Sequence, residues 1–198
     1  MSVVRRRPSP ICTESRLCSS GARLIRTQVR IPLADSTVVK APTDINPQSL
    51  VLMADIFPTG FFAARNAFKE MSSSEVSDSV VVVIGCGPVG LCAIINALEY
   101  KPKHLLAVDL VESRLQLAQK FGAETWNSGT DMDGLTQRVK DLTEGRGADA
   151  VIEVVGASPA LRAAFDLLRP WGFISSVGIH NREVFPTLAS HYLWKHES

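Results

Sequence analysis

The run VVVVIGCGPVG, residues 80–90, constrains the fold more than any other stretch of the chain. Four valines and an isoleucine in a row leave no polar position on either side of a strand. Such a segment is at home only where both faces of a sheet are covered, as in the middle of a parallel sheet. Parallel neighbours cannot be joined by a hairpin and need a crossover, usually a helix. The downstream sequence meets that requirement by alternating strand and helix patterns. Strands are expected at 80–84, 105–109, 124–127, 149–155 and 172–177, with helices at 88–100, 112–121, 131–143 and 158–168. The fold class that follows is α/β with a parallel sheet; with the glycine turn described next, it is expected to be a doubly wound sheet of Rossmann type over residues 72–178, in the order 3-2-1-4-5.

The glycines that follow the apolar run carry the first functional expectation. Gly85, Gly87 and Gly90 have the spacing G-x-G-x-x-G between a buried strand and a helix, the context in which that pattern holds a dinucleotide pyrophosphate. Gly85 permits the tight turn, Gly87 lets the backbone approach the phosphates, and Gly90 lets the helix pack close to the strand. Pro88 and Val89 open the helix, where an amide has no helical partner and the dipole favours an anion. The next strand, LLAVD, ends in Asp109, 19 residues after Gly90, where an acid takes the adenosine ribose hydroxyls. An Asp at a strand end is also a common cap for the following helix, but beside the glycine turn ribose binding is the better reading. An acid there repels the 2′-phosphate of NADP, so NAD is implied. Arg114 either reaches the same ribose or belongs to a solvated helix face.

Upstream of this domain the pattern is less regular. Residues 31–45 read as short extended segments joined by polar turns. Residues 49–71 read as helical with a break at Pro58 and Gly60, and 72–79, SSSEVSDS, as a polar hinge. Residues 1–30 carry seven arginines and one acid, although the whole chain has a net charge of only +1. That composition suits either a mitochondrial transit segment or a disordered or misannotated leader, and Pro8 and Pro10 favour the second. The rest of the chain is mildly acidic and has no basic footprint for nucleic acid. No apolar run approaches the roughly 18 residues that suggest a membrane span. The four cysteines, at 12, 18, 86 and 92, are too irregularly spaced for a disulfide framework or a zinc ribbon. Cys86 and Cys92 read as small apolar fillers in a reducing compartment. Cytoplasmic location is expected, with the mitochondrial matrix as the alternative.

As a set, VVVIGCGPVGLCAI, AVDLVESRLQLAQKFGAE, GADAVIEVVG and GFISSVGIH resemble the cofactor domain of the zinc-type medium-chain alcohol dehydrogenases. IPLADSTVVKAP and VLMADIFPTGFFAA resemble the end of that family's GroES-like catalytic domain and the helix that joins the two domains. MADIFPTG is most similar to the glutathione-independent formaldehyde dehydrogenase branch, which carries an Asp where many relatives have Cys. The resemblance implies that Asp55 stands at the third catalytic zinc ligand and Thr59 beside the nicotinamide. It also implies that Val154, Val155 and Gly156 line the nicotinamide ribose and that Val177, Gly178 and Ile179 support the ring. Without the resemblance Asp55 reads as a helix cap before Pro58.

The division implied is a leader at 1–30, a catalytic-domain remnant with its connecting helix at 31–71, the NAD-binding domain at 72–178 and an irregular tail at 179–198. An open catalytic zinc site needs three protein ligands. The family's first two, a Cys and a His, lie well upstream of the third, and here no His precedes His104. Asp55 is therefore expected to be a vestigial metal position, with zinc not bound. The expected activity is hydride transfer between an alcohol or aldehyde hydrate and NAD in an incomplete form, or else NAD binding without catalysis. The expected partner is a small alcohol or aldehyde. Self-association is expected through a sheet edge carrying Phe173, Ile174 and Val177.

Overall fold

The structure, a computed structural model, describes residues 32–180, and the expectations for the leader and for all of the tail except Ile179 and His180 lie outside them. The described residues fall into two compact units, divided after Asn46. In the first, a short helix α1 (Ala34–Thr37) occupies part of the segment expected to be extended. The hydroxyl of Ser36 donates to the Leu33 carbonyl at 3.1 Å, a local bond that closes a turn instead of a strand.

The second unit is the α/β domain. After α2 (Pro47–Leu50) and a 3-10 turn (Val51–Ala54) come α3 (Ile56–Phe68), α4 (Ser73–Asp78), β1 (Val80–Ile84), α5 (Pro88–Glu99), β2 (His104–Asp109) and α6 (Glu112–Phe121). They are followed by β3 (Glu124–Asn127), α7 (Met132–Leu142), β4 (Ala148–Glu153), α8 (Ser158–Leu167) and β5 (Leu168–Ser176). The five strands are parallel, as the alternation predicts, and stand in the order β3-β2-β1-β4-β5 expected of the Rossmann type. Val81, Val82 and Val83 of β1 have no exposed surface. Alternate residues of β1 feed two core layers. Val81 and Val83 pack with Ala63, Ala67, Ile94 and Leu115 from α3, α5 and α6. Val80, Val82 and Ile84 pack with Leu135, Val139, Ala164 and Leu167 from α7 and α8.

Two expectations upstream of β1 are corrected. Residues 73–78 are a helix and not a hinge, because Ser72 and Glu75 form a capping box. Glu75 N–H donates to Ser72 Oγ at 3.4 Å, and Ser72 N–H donates to Glu75 Oε2 at 2.7 Å. The Ser72 hydroxyl also donates to Glu75 Oε2 at 2.7 Å, and this bond first, with the Ser72 N–H second, lowers the Glu75 carboxyl pKa. The expected break at Pro58 and Gly60 is also absent, since α3 runs unbroken through both. Pro58 falls in the first turn, where its missing N–H costs no helical bond. Gly60 is buried against α5. At the other end of the domain β4 stops at Glu153, so Val154 and Val155 lie in the turn beyond it, and β5 begins four residues before its expected start at 172.

Candidate functional site

A cleft of about 750 Å³ opens at the carboxyl ends of the strands. It straddles β1 where the chain winds to β2 on one side and β4 on the other, the switch point at which ligands bind in such sheets. Of the residues expected at a dinucleotide site, Gly85, Gly87, Asp109, Arg114, Val154 and Val155 line it. Gly85 has φ +101°, a backbone state that side chains rarely tolerate. A Cβ on Gly87 would meet nothing within 4 Å, so the backbone there faces open space. Gly90 lies behind the turn, where a Cβ would collide with the Gly85 carbonyl. Pro88, exposed at the first position of α5, and Val89 flank the turn without lining the cleft.

Asp109 joins two sides of the cleft. Its Oδ2 accepts the Cys86 N–H at 2.7 Å, and its Oδ1 accepts the Val111 N–H at 2.9 Å. The carboxylate therefore braces the glycine turn and the β2–α6 loop, and each oxygen keeps a lone pair for a further donor. Arg114 Nη1 lies 3.6 Å from Asp109 Oδ2 with its side chain half exposed, so the helix-face arginine sits at the cleft rim. The Cys86 thiol, buried inside the turn, is pushed up to about 12, by burial first and by the Asp109 charge second. It is a filler and not a nucleophile, since only the thiolate reacts.

The remaining expected residues do not line this cleft. Val177 continues the ladder by donating its N–H to the Glu153 carbonyl at 3.0 Å, and its side chain packs on the core. Gly156 and Gly178 are in close backbone contact, and Ile179 is exposed. Asp55 stands at the head of α3, where it makes no side-chain cap bond to the helix backbone. Its Oδ1 accepts the Thr59 hydroxyl at 2.9 Å. Among the described residues no three of His, Cys, Asp and Glu converge as a metal site, so the donor set described here does not fit a zinc ion.

Two features escaped the sequence reading. Leu110, Val111, Ser128 and Met132 complete the cleft on the side of Asp109, and only the fold brings them together. Glu153, fully buried at the end of β4, accepts N–H bonds from both Val155 and Gly156. Its signal was a lone acid inside the apolar run AVIEVVG.

A parallel doubly wound sheet with a glycine turn and a strand-end acid sharing one cleft defines the class, a Rossmann-type α/β domain. The chain belongs to the zinc-binding dehydrogenase family, whose model matches residues 88–197. It is 69% identical over 156 residues to "Zinc-type alcohol dehydrogenase B" of Aspergillus flavus, covering 79% of this chain and 36% of that protein. It is 57% identical over 153 residues to "Medium chain reductase/dehydrogenase ucsI" of an Acremonium species, covering 77% of this chain and 52% of that one. Its fold matches the apo form of zinc dependent alcohol dehydrogenase 2 from Streptococcus pneumonia with a TM-score of 0.69 at 32% identity, over 83% of this chain and 46% of that one. The chain thus spans about half the length, or less, of these relatives. No helix among the described residues is long and apolar enough to cross a membrane.

Proposed function

We propose that this chain supplies the NAD-binding part of a zinc-type alcohol dehydrogenase, whose reaction is hydride transfer between an alcohol or aldehyde hydrate and NAD. One observation carries the reading. The Gly85–Gly90 turn and Asp109 meet in a single cleft and are tied together by the Cys86 N–H···Oδ2 bond. Gly85, Gly87 and the start of α5 at Pro88, Val89 and Gly90 would hold the pyrophosphate. Asp109, with Arg114 at the rim, would hold the adenosine ribose. Val154, Val155 and Gly156, together with Val177, Gly178, Ile179 and Thr59, would face the nicotinamide side. Bound NAD supplies the hydride acceptor. The names of the Aspergillus and Streptococcus relatives support an alcohol as substrate. The MADIFPTG segment makes formaldehyde hydrate the first substrate to try.

A second reading, NAD binding without turnover, is favoured by Asp55. Its carboxylate is engaged by Thr59, and no further ligands converge on it among the described residues. Titration of the purified chain with NADH and NADPH tests the cofactor reading. NADH is expected to bind at least about tenfold tighter, the scale of one charge-assisted contact to the ribose against one repelled phosphate. Equal or tighter NADPH binding overturns the role given to Asp109. Zinc per chain, measured alongside NAD reduction with formaldehyde and short alcohols, separates the two readings. Stoichiometric zinc with turnover abolished by Asp55→Ala would decide for the enzyme.

A further inference from the structure

The cofactor reading accounts for the acid at the end of β2 and leaves the one at the end of β4 without a role. Glu153 has no exposed surface, and burying a carboxylate is costly unless every oxygen is matched by donors. Here the donors come from three pieces of chain. Oε1 accepts the N–H of Val155 at 2.8 Å and of Gly156 at 2.7 Å. Oε2 accepts the hydroxyl of Ser176, the last residue of β5, at 2.7 Å and lies 3.1 Å from His180 Nε2. Ser176 Oγ is in turn 3.0 Å from the same His180 nitrogen. The serine has a single proton and gives it to Glu153, so Nε2 carries the imidazole hydrogen and donates to both oxygens.

The turn held in this way borders the cleft. Val154 and Val155 form its wall on the β4 side, opposite Asp109 across β1. Their side chains stand directly over Gly85, where a Cβ would come within 2.8 Å of Val155 Cγ2 and 3.0 Å of Val154 Cγ2. Gly156, at φ +76°, is pressed against Gly178 and Ile179 beyond the end of β5. A shift of the Val155–Gly156 amides therefore moves the cleft wall and the strand end together.

We propose that Glu153 is a positioning residue for the nicotinamide half of the cofactor. Its carboxylate clamps the β4–α8 turn to the end of β5 through Ser176 and His180, fixing that wall of the cleft while leaving the adenosine end untouched. The proposal rests on the cofactor reading above and deepens it.

Paired titrations of the full chain with NADH and with ADP, which lacks the nicotinamide and its ribose, test it. Glu153→Ala leaves two amides, a hydroxyl and an imidazole without their acceptor. It is expected to weaken NADH about tenfold and ADP less than about twofold. Glu153→Gln keeps an oxygen for the amide pair and an NH2 group for the β5 end. It is expected to recover most of the NADH affinity. Asp109→Asn should behave differently and weaken both ligands. If Glu153→Ala does not fold, Ser176→Ala and His180→Ala replace it. Each removes one partner of Oε2 and is expected to cost about threefold in NADH with ADP unmoved. Equal losses of NADH and ADP, or no loss of either, overturn the positioning role while the cofactor site stands. A wild-type chain that binds neither ligand overturns the cofactor reading and this proposal with it.

Discussion

Asp109 and Glu153 end neighbouring strands of β1 and solve the same problem. A parallel strand that stops at a cleft leaves the next backbone amides without ladder partners, and a carboxylate turned back on the chain accepts two of them. Asp109 takes Cys86 and Val111; Glu153 takes Val155 and Gly156. Cys86, fixed under the first of these, gives a prediction at this scale. In the unfolded chain its thiol ionises near the ordinary 9.0, whereas in the folded chain it keeps its proton until about 12. Between those values the unfolded state binds fewer protons than the folded one. The stabilisation from keeping the thiol neutral is therefore complete below pH 9.0 and is lost as pH rises toward 12. Peptide mapping after iodoacetamide treatment at about pH 8 should find Cys86 unmodified in the native chain and alkylated in denaturant. Rapid native alkylation would contradict its burial.

At the scale of elements, α3 and α4 show how local chemistry was outvoted or overlooked. Proline and glycine at 58 and 60 are helix breakers by intrinsic preference, yet α3 places the proline where no bond is lost and uses the glycine for contact with α5. Two effects oppose each other at Gly60. Alanine in a helix interior is better than glycine by about 1 kcal/mol. Overpacking a close contact costs about 1–3 kcal/mol. A Cβ at Gly60 would lie 2.6 Å from Cys92 Cβ and 2.7 Å from the Ala93 backbone nitrogen, and backbone cannot rotate away. Packing should win, with Gly60→Ala destabilising by about 1–2 kcal/mol in urea unfolding. A gain in stability would show that α3 and α5 are not in contact. For α4 the signal was present in the sequence as Ser-x-x-Glu, a capping box read as a hinge because the segment is short and polar.

For the whole molecule the consequential feature is β5, the outermost strand of the described sheet. Of the three residues expected to make its edge apolar, Ile174 and Val177 pack on the core layers and Phe173 is the more exposed. Trp171, missed in the sequence, is 78% exposed. It sits beside a register irregularity opposite Ala148 and Ala150, with φ +61°. An outer strand with two exposed aromatics is a template for association with a second chain. Light scattering of the purified chain should give a mass above the monomer, and Trp171→Lys should lower it, since lysine on an edge discourages pairing. A monomer at working concentration would count against association through β5.

Periodicity determined the α/β class and the five strands, and their order followed only once the glycine turn gave the dinucleotide-binding type of sheet. An all-apolar run has one stable place in a sheet, and the crossover rule leaves few ways to connect the rest. The glycine spacing and the acid 19 residues later were also legible, because each is a local demand of a turn or a strand end. What only the tertiary structure decided are relations between distant segments. Gly60 needed α5 beside it to be more than a helix breaker. Glu153 needed Ser176 and His180, 23 and 27 residues on, before a lone acid in an apolar strand became a clamp. The cleft itself is closed by side chains from the β2–α6 loop, α7 and α8 whose apolar character could equally have served the core, and burial alone carries no label for which side of a strand end they will face.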